Sequence, residues 1–351
     1  MHRVLSVRAS TWCTALAVLV TLSILEAPAA ATPPPPALAR VMTQNLYLGT
    51  DLDPVLAAAS PGALVSAATT AWQQVEANDF RARARALAAE IDLARPDTIG
   101  LQEAALWRTG PVGGPATTVV YDFVGELVRA LAARGLHYTP VAMSENYDAE
   151  APTSLGYDVR LTDRDALLVR AGVTVLDAHA ANYATVLPLP TPLLGTFIVH
   201  RSYVYADLAL HGQRFRVVTT HLDPLAPPVQ IAQGAELAAG PAATSAPVVV
   251  AGDLNSSADG SDTPTYANLL AAGFTDGWTV SGHRDPGYTC CEASDLHNAV
   301  PTLSQRIDYV LTRGNAGVLL ETRLGDLPFE KTPGGLWPSD HAGVVAVVRI
   351  G

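Results

Sequence analysis

The chain is short of positive charge and of cysteine. Its 351 residues include 22 lysine or arginine residues against 33 aspartate or glutamate residues, and Lys331 is the sole lysine. The formal net charge of −11 argues against a protein held on nucleic acid by basic tails, because such proteins bind phosphates through lysine and arginine. The 49% content of hydrophobic residues excludes a disordered or collagen-like chain.

The cysteines also exclude a zinc site built on cysteine spacing. The three cysteines are Cys13, Cys290 and Cys291, and the last two are adjacent. Zinc-binding cysteine pairs need intervening residues, so the adjacent pair cannot supply such a motif. Two alternatives remain for Cys290 and Cys291: a vicinal disulfide, which an oxidising compartment would favour, or two free thiols.

The beginning of the chain has the pattern of a secretory signal. Arg3 and Arg8 precede an uncharged stretch over 9–25, and small residues follow up to Ala31. A transmembrane anchor is the alternative, but the apolar part 15–25 is shorter than the roughly 20 residues that cross a bilayer. We therefore predict a signal peptide over 1–31, a proline-rich spacer over 32–39, one domain over 40–351, and a secreted protein without a stable membrane anchor.

The domain alternates strand and helix signals, which indicates a layered α/β fold. Apolar residues at helical spacing, from Phe80 to Ile91, predict a helix that Arg95-Pro96 stops, and those from Phe123 to Leu131 predict a second helix closed by Gly135. Thr263-Pro264 predicts the start of a third helix that ends at Gly273. Short apolar runs predict strands at Val41–Gln44, Asp97–Leu101, Ala166–Arg170, Val173–Leu176, Tyr203–Leu210, Phe215–Thr220, Ala246–Ala251, Ile307–Leu311 and Val344–Ile350.

Polar residues of catalytic type recur where these strands end. In chain order the motifs are Gln44-Asn45, Gln102-Glu103, Thr220-His221-Leu222, Gly252-Asp253-Leu254-Asn255, Arg306-Ile307-Asp308-Tyr309 and Ser339-Asp340-His341. Each motif alone is weak, because an acid after a strand is common. Together, and in this order, they predict one site at the rim of a rigid sheet.

This set of motifs resembles the endonuclease/exonuclease/phosphatase superfamily from about Val41 to Ile350. The resemblance implies a four-layered α-β-β-α sandwich of two packed mixed sheets flanked by helices. It also implies metal-assisted hydrolysis of a phosphate ester. The expected cofactor is Mg²⁺, with Mn²⁺ or Ca²⁺ as alternatives, because hard cations suit carboxylates, water and phosphate oxygens.

The site residues divide into metal ligands and residues that handle protons or phosphate. We expect Glu103 to bind the metal ion, joined by Asn45 and Asp340 directly or through water. Asp253 is the expected acceptor of a proton from the attacking water. Asn45 has a second interpretation, in which its side chain only terminates a strand.

The remaining residues complete the expected site. Asn255 is expected to hold water or phosphate, and His221 to contact phosphate or assist the leaving group, as in the secreted nuclease and sphingomyelinase branches. Asp308 and His341 would form a carboxylate–imidazole pair in which His341 either activates water or binds phosphate. Asp308 has an alternative as a buried acid paired with Arg306. The run 163–165, Asp-Arg-Asp, reads best as a solvated turn, with the border of the cleft as its alternative.

These observations predict an exported, metal-dependent phosphodiesterase of nuclease type that acts as a monomer. Its partner would be a phosphate-ester substrate, either nucleic acid or a phospholipid headgroup. A sphingomyelinase-like lipid phosphodiesterase and a phosphomonoesterase are the alternatives. A non-catalytic binding module would have lost polar site residues, whereas all of them are present here.

Overall fold

The computed structural model describes His2, residues 34–193 and residues 195–351. Apart from His2, the predicted signal peptide 1–31 lies outside the described residues, as do residues 32 and 33 of the predicted spacer. Pro34–Gly351 forms a compact unit of its own. Within the described residues, no helix has the length and apolar character needed to cross a membrane.

Sixteen strands occur in the described part of the chain. They are β1 Ala37–Asn45, β2 Thr98–Gln102, β3 Leu106–Pro111, β4 Thr118–Asp122, β5 Tyr138–Pro152, β6 Tyr157–Arg170, β7 Thr174–Asn182, β8 Leu187–Thr191, β9 Gly195–Val199, β10 Ser202–Leu210, β11 Gln213–His221, β12 Val248–Asp253, β13 Thr275–Asp276, β14 Asp308–Arg313, β15 Ala316–Leu324 and β16 Gly343–Ile350. Strand β1 begins inside the segment that we assigned to the spacer, because Ala37 already pairs with Ile350 of β16.

The helices lie between these strands. They are α1 Asp53–Leu56, α2 Pro61–Ala77, α3 Phe80–Ala94, α4 Phe123–Ala132, α5 Pro227–Ala239, α6 Thr265–Ala271 and α7 Gly277–Val280, with a 3₁₀ helix at Pro328–Glu330. Asp79 is the N-cap residue of α3, and its side chain accepts a hydrogen bond from the Ala82 amide. Arg95 is the C-cap residue and directly precedes Pro96, which cannot continue a helix.

Fourteen of the sixteen strands lie in two large sheets. The first sheet has the order β15-β16-β1-β2-β6-β3-β4, with β5 also paired to β6, and the second has the order β13-β14-β12-β11-β10-β7. Strands β8 and β9 form a separate hairpin. Both large sheets are mixed, because β1 runs parallel to β2 and β11 runs parallel to β12 while their other neighbours are antiparallel.

Alternation along β1 shows how the layers form. Met42 packs with Leu87 of α3 in a core between the first sheet and helices α2, α3 and α4. Its neighbour Val41 points the other way and packs with Val249 of β12 in the core between the two sheets. A third core lies between the second sheet and helices α5 and α6. The predicted α/β class and the four-layered α-β-β-α sandwich are confirmed.

The two sheets approach each other most closely near the ends of β2 and β11. Gly100 of β2 faces the Thr219 side chain of β11, and a Cβ atom at this position would collide with it. Gln102 reaches across the gap and donates from Nε2 to Thr219 Oγ1 at 2.7 Å. These contacts fix the relative position of the two strand ends that carry the predicted site.

The solvated turn predicted for 163–165 is wrong. Asp163, Arg164 and Asp165 lie inside β6, which begins at Tyr157, and all three are buried. Burial is tolerated because each charge finds a partner: Asn146 donates to both carboxylates, and Arg164 pairs with Asp122 at 2.6 Å. Helices α2 and α5 were also absent from the sequence-based prediction.

Candidate active site

The carboxyl ends of the two parallel strand pairs carry the predicted site residues. In the first sheet, Asn45 ends β1 beside the end of β2, and Glu103 directly follows β2. In the second sheet, His221 of β11 pairs with Asp253 of β12, which pairs in turn with Asp308 of β14. Because parallel strands end at the same edge, the register places Asn45 beside Glu103 and His221 beside Asp253. Asp308 joins them from the beginning of β14, which runs antiparallel to β12.

Asn45 links the two sheets at this rim. Its Nδ2 donates to Glu103 Oε1 and to Asp253 Oδ2, both at 3.1 Å. Its Oδ1 accepts a hydrogen bond from the Tyr47 amide at 2.9 Å, and its backbone carbonyl accepts one from Ser339 Oγ at 2.7 Å. Asn45 therefore does more than terminate a strand, since its side chain joins a carboxylate of each sheet.

Asp253, Asp308 and His341 form a buried cluster beneath this link. Each presents an oxygen or nitrogen atom within 4.8 Å of the others. His341 Nδ1 lies 2.8 Å from Asp308 Oδ2 and 3.9 Å from Asp253 Oδ2. The structure thus forms the expected carboxylate–imidazole pair, and the alternative partner Arg306 instead donates to Asp276 Oδ2 at 2.8 Å.

The two histidines of the site have opposite charge preferences. Burial lowers the pKa of His341, but the carboxylates of Asp308, Asp340 and Asp253 outweigh burial and raise that pKa well above its usual value. Burial, together with the positive charges of Arg201 and His341, holds the pKa of His221 well below its usual value. His341 is therefore a cation near neutral pH, and His221 is neutral.

Arg201 also fixes the tautomer of His221. Arg201 Nη1 lies 3.1 Å from His221 Nδ1. Because a guanidinium group only donates hydrogen bonds, Nδ1 must be the acceptor and the ring proton resides on Nε2. That Nε2 lies 3.5 Å from Asp253 Oδ2, so His221 presents a neutral N–H donor to the centre of the site.

The carboxyl groups of Asp253 and Asp340 both titrate near neutrality. Burial raises the pKa of Asp253 to about 7, and the neighbouring charge of Asp308 adds to this effect. Burial raises the pKa of Asp340 to about 7 as well, with a further contribution from Glu103. Perturbed carboxyl groups of this kind are frequent where a protein handles protons or binds cations.

Glu103 and Asp340 face a cavity rather than the protein interior. Both line the same cavity of about 440 Å³. Glu103 has a left-handed backbone with φ of +52°, and its Oε2 accepts a hydrogen bond from the Leu48 amide at 2.8 Å. A non-glycine residue in this conformation costs of order 1 kcal/mol or more, which is typical of a side chain aimed by a functional site.

Asn255 lies at the rim but its side chain is already engaged. Its backbone, at φ of +47°, turns so that its amide donates to Asp253 Oδ1 at 2.9 Å. Its Nδ2 donates to the Leu222 carbonyl at 2.9 Å, which ties the end of β11 to the end of β12. The structure therefore brings seven of the eight predicted side chains together and directs the amide of Asn255 toward the backbone.

A divalent metal ion fits the carboxylates of this site. Glu103 and Asp340 line the same cavity, and the Asn45 amide group contacts Glu103 at 3.1 Å. Carboxylate and amide oxygens are the ligands that hard cations prefer. His341 is a poor ligand, because its ring is cationic and its Nδ1 is bonded to Asp308. The residues that fit best are Glu103, Asp340 and Asn45.

Sequence reasoning missed Arg201, and it connected the loop at 289–292 with substrate access but not with the catalytic cluster. Arg201 is buried against His221, but an isolated arginine before a strand carries no local signal. The loop at 289–292 also packs against the site: Thr289 Oγ1 accepts from the Asp308 amide, and the Glu292 amide donates to the Asp340 carbonyl. Cys290 and Cys291 in this loop are joined by a disulfide, with their sulfurs within 4.8 Å of a His341 ring nitrogen.

Comparison with known families defines the class of protein. Residues 42–341 match the model of the Endonuclease/Exonuclease/phosphatase family, so the chain belongs to that family. Members of the family are metal-dependent phosphoesterases, and this chain is an enzyme of that type. The family's use of divalent metals agrees with the donor set described above.

Solved structures show the same fold at low sequence identity. An endonuclease/exonuclease/phosphatase family protein from Bacteroides thetaiotaomicron has a TM-score of 0.59 at 14% identity, over 91% of this chain and 97% of that one. A humanized TDP2 from D. rerio has a TM-score of 0.55 at 18% identity, over 89% and 98%. D. rerio TDP2 complexed with single strand DNA product has a TM-score of 0.51 at 19% identity, over 89% and 99%. A search of curated proteins found no match.

Proposed function

We propose that the protein is an exported, Mg²⁺-dependent phosphodiesterase that hydrolyses its substrate with an activated water. The observation that carries this proposal is the Asn45 side chain, which joins Glu103 of one sheet to Asp253 of the other at 3.1 Å each. Asn45 thereby connects Glu103, whose carboxylate can bind a cation, with Asp253, whose carboxylate can accept a proton. Hydrolysis of a phosphate ester requires both.

Glu103 and Asp340 are the residues that would hold the cation, with Asn45 bound directly or through water. Asn45 Oδ1 accepts one hydrogen bond, from Tyr47, and a carbonyl oxygen has a second lone pair. A bound Mg²⁺ would neutralise charge on the phosphate oxygens as the ester bond breaks. Mn²⁺ and Ca²⁺ are the alternatives, because the same oxygen donors bind them.

Asp253 is the residue best suited to take the proton of the attacking water. Its pKa of about 7 allows it to be ionised near neutral pH while still binding a proton well. It is held on both sides, by the Asn255 amide at Oδ1 and by Asn45 Nδ2 at Oδ2. These two hydrogen bonds hold the Asp253 carboxylate in one orientation for proton transfer.

The histidines would bind the phosphate rather than take the proton from water. A cationic His341 has no free lone pair, so it donates from Nε2 while Asp308 holds its Nδ1. Neutral His221 donates from Nε2 beside Asp253. Of the two roles open for His341, phosphate binding is the one that its charge supports.

Nucleic acid is the leading substrate class, with a phospholipid headgroup as the alternative. D. rerio TDP2 has been crystallised with a single-stranded DNA product, and this chain is similar to it in fold. Export rests on the signal-like pattern over 1–31, and a monomer is the expected state. The formal charge of −11 is compatible with a phosphate substrate when a cation and arginines supply positive potential locally.

The test is hydrolysis of bis-p-nitrophenyl phosphate and nicking of plasmid DNA by the protein lacking residues 1–31. We expect activity with Mg²⁺, loss of activity with EDTA, and recovery when Mg²⁺ is restored. Asp253→Ala and His341→Ala should each remove most of the activity. Unchanged rates in both variants would contradict the proposed chemistry, and the appearance of the protein in the medium of an expressing culture tests export.

A further inference from the structure

The cavity beside Glu103 and Asp340 is mainly apolar, which neither the family nor the proposed reaction requires. Its volume of about 440 Å³ falls within the range of about 300–1,000 Å³ that encloses small ligands. Apolar side chains from several segments line it, among them Leu52 and Val55, Trp107, Leu161 and Phe197. These belong to helix α1 and the residue before it, strands β3 and β6, and the β8–β9 hairpin.

The two peripheral elements of the cavity wall contribute little to the three main cores. Helix α1 has no buried residue, and the β8–β9 hairpin pairs with neither large sheet. Phe197 of the hairpin contacts Tyr147 of β5 edge-on, with ring centroids 6.0 Å apart. Apolar side chains placed on such elements cover a space instead of filling the core, as expected for the wall of a binding site.

Arg201 supplies the positive charge of the cavity lining. It is the one cationic side chain among the described lining residues, and it is only 8% exposed. Its Nη1 contacts His221, so this guanidinium lies at the edge of the catalytic cluster. A phosphate ester in the cavity would find its cationic partner here, because guanidinium groups form strong hydrogen bonds with phosphate oxygens.

The charges of the lining favour a substrate with a single phosphate. The cavity is lined by six carboxylate side chains and one cationic side chain; the carboxylates are Asp51, Asp53, Glu103, Glu150, Glu292 and Asp340, and the cation is Arg201. A nucleic-acid strand passing through would bring further phosphates against these carboxylates. A nucleobase in the apolar part would also leave its polar edges without hydrogen-bond partners. An uncharged hydrocarbon group meets neither penalty.

We propose that this cavity is a substrate subsite for one hydrocarbon chain esterified to the scissile phosphate, taken from dispersed molecules rather than from a bilayer. This inference rests on the proposed phosphodiesterase activity, and it names single-chain alkyl phosphodiesters as the substrate class in place of nucleic acid. The phosphate lies at the Arg201 end, and the chain extends between α1 and the β8–β9 hairpin. A cavity of this size holds one chain, and its acidic lining opposes approach to an anionic membrane surface.

The test is a series of alkyl p-nitrophenyl phosphates with methyl, butyl, octyl and dodecyl chains, assayed in Mg²⁺ below their micelle concentrations. Burial of one methylene group corresponds to about a fourfold gain in kcat/KM, so even partial burial of the added chain should give a rise of at least about tenfold from methyl to octyl. A series with no dependence on chain length would overturn the inference. Absence of hydrolysis of every ester, the methyl ester included, would instead refute the proposed function.

Substitutions in the cavity wall show whether a preference for long chains comes from this cavity or from apolar esters reacting faster in general. Val55→Asp places a charge in the wall, and Ala151→Trp occupies its space from β5. Each should lower the octyl-to-methyl ratio of kcat/KM by about tenfold or more, and the second variant serves if the first does not fold. Val119→Asp is the matched control, because Val119 is exposed on β4 outside the cavity.

Two further measurements test whether the chain itself is bound and whether the substrate comes from solution or from a bilayer. Alkylphosphonates titrated into the protein by calorimetry should bind more tightly as the chain lengthens, and Ala151→Trp should abolish that trend. The same alkyl ester presented in vesicles of phosphatidylcholine and anionic phosphatidylserine should be hydrolysed more slowly than the dispersed ester. Faster hydrolysis in vesicles, or binding that ignores chain length, would contradict the proposal.

Discussion

The hydrogen bond between His341 and Asp308 offers the most informative single substitution. His341 Nδ1 lies 2.8 Å from Asp308 Oδ2, and both residues are buried. Asp308→Asn retains the size of the side chain but removes its negative charge. The variant therefore isolates the electrostatic part of the pair.

The magnitude follows from the nature of this bond. A hydrogen bond to a charged group contributes about 1.5–3 kcal/mol, which corresponds to about 10- to 150-fold in kcat/KM when the bond is needed in the transition state. The charge of Asp308 also helps to raise the pKa of His341, so this pKa should fall in the variant. If cationic His341 binds phosphate, the variant loses this cation, and with it activity, at a lower pH than the wild type. The alkaline limb of the pH profile therefore shifts to lower pH.

The assay is the pH dependence of kcat/KM for bis-p-nitrophenyl phosphate in saturating Mg²⁺. Asp207→Asn is the matched control, because Asp207 pairs with Arg216 in the middle of β10, away from the strand end at Ser202 that pairs with His221. We expect the control to behave like the wild type. An alkaline limb that stays in place, or a loss below about threefold, would refute the role that we assign to this pair.

Three further predictions concern protons, packing and the missed arginine. The pKa values of about 7 for Asp253 and Asp340 mean that the folded metal-free protein binds protons that the unfolded chain has lost, so its stability falls as pH rises from about 4 to 7. Because a cation needs the ionised carboxylates, MgCl₂ should raise Tm more at pH 8 than at pH 5.5, and equal shifts in a thermal melt would contradict this. Arg83 is fully buried on α3 and donates to four backbone carbonyls, so Arg83→Met should cost at least about 3 kcal/mol of unfolding free energy in urea, whereas Arg85→Met on the exposed face should cost little. Arg201→Met removes a positive charge from His221, so NMR titration should show a higher pKa for this histidine, and an unchanged value would exclude the contact.

The parts of the fold that sequence could predict are those with a local signal. Strands β1, β2, β11 and β12 are short apolar runs that end at polar residues, and each lies where it was predicted to within a few residues. Their parallel pairing then brings the polar ends together without further information. This pairing places Asn45 beside Glu103 and His221 beside Asp253, whereas Asp308, Asp340 and His341 reach the rim from the beginnings of antiparallel strands.

Other features could not be predicted because their causes are tertiary. The acidic stretch in β6 resembles a turn until Asn146, Ser202 and Arg201 are placed around it by other strands. The place of Arg201 in the site depends on its contact with His221, which lies 20 residues further along the chain. Helix α2 consists largely of small residues and has only a weakly amphipathic pattern. Its N-cap Ser60 and the following Pro61 are nevertheless residues that typically begin a helix.

The disulfide in the 289–292 loop shows the same limit. The sequence left a bridge and two thiols open for Cys290 and Cys291, and the structure joins them. Its placement against His341 comes from hydrogen bonds of the loop to Asp308 and to Asp340, residues that follow it in the chain. No local pattern indicated that this loop supports the catalytic cluster.

The central claim is that Glu103 and Asp340 bind one divalent cation at the rim where the two sheets meet. Its most direct test is an anomalous difference map from a crystal of the protein soaked in Mn²⁺. The account predicts one strong peak within about 2.5 Å of carboxylate oxygens of Glu103 and Asp340. A map without a peak there, or with the ion bound elsewhere on the protein, would contradict the assignment of the site.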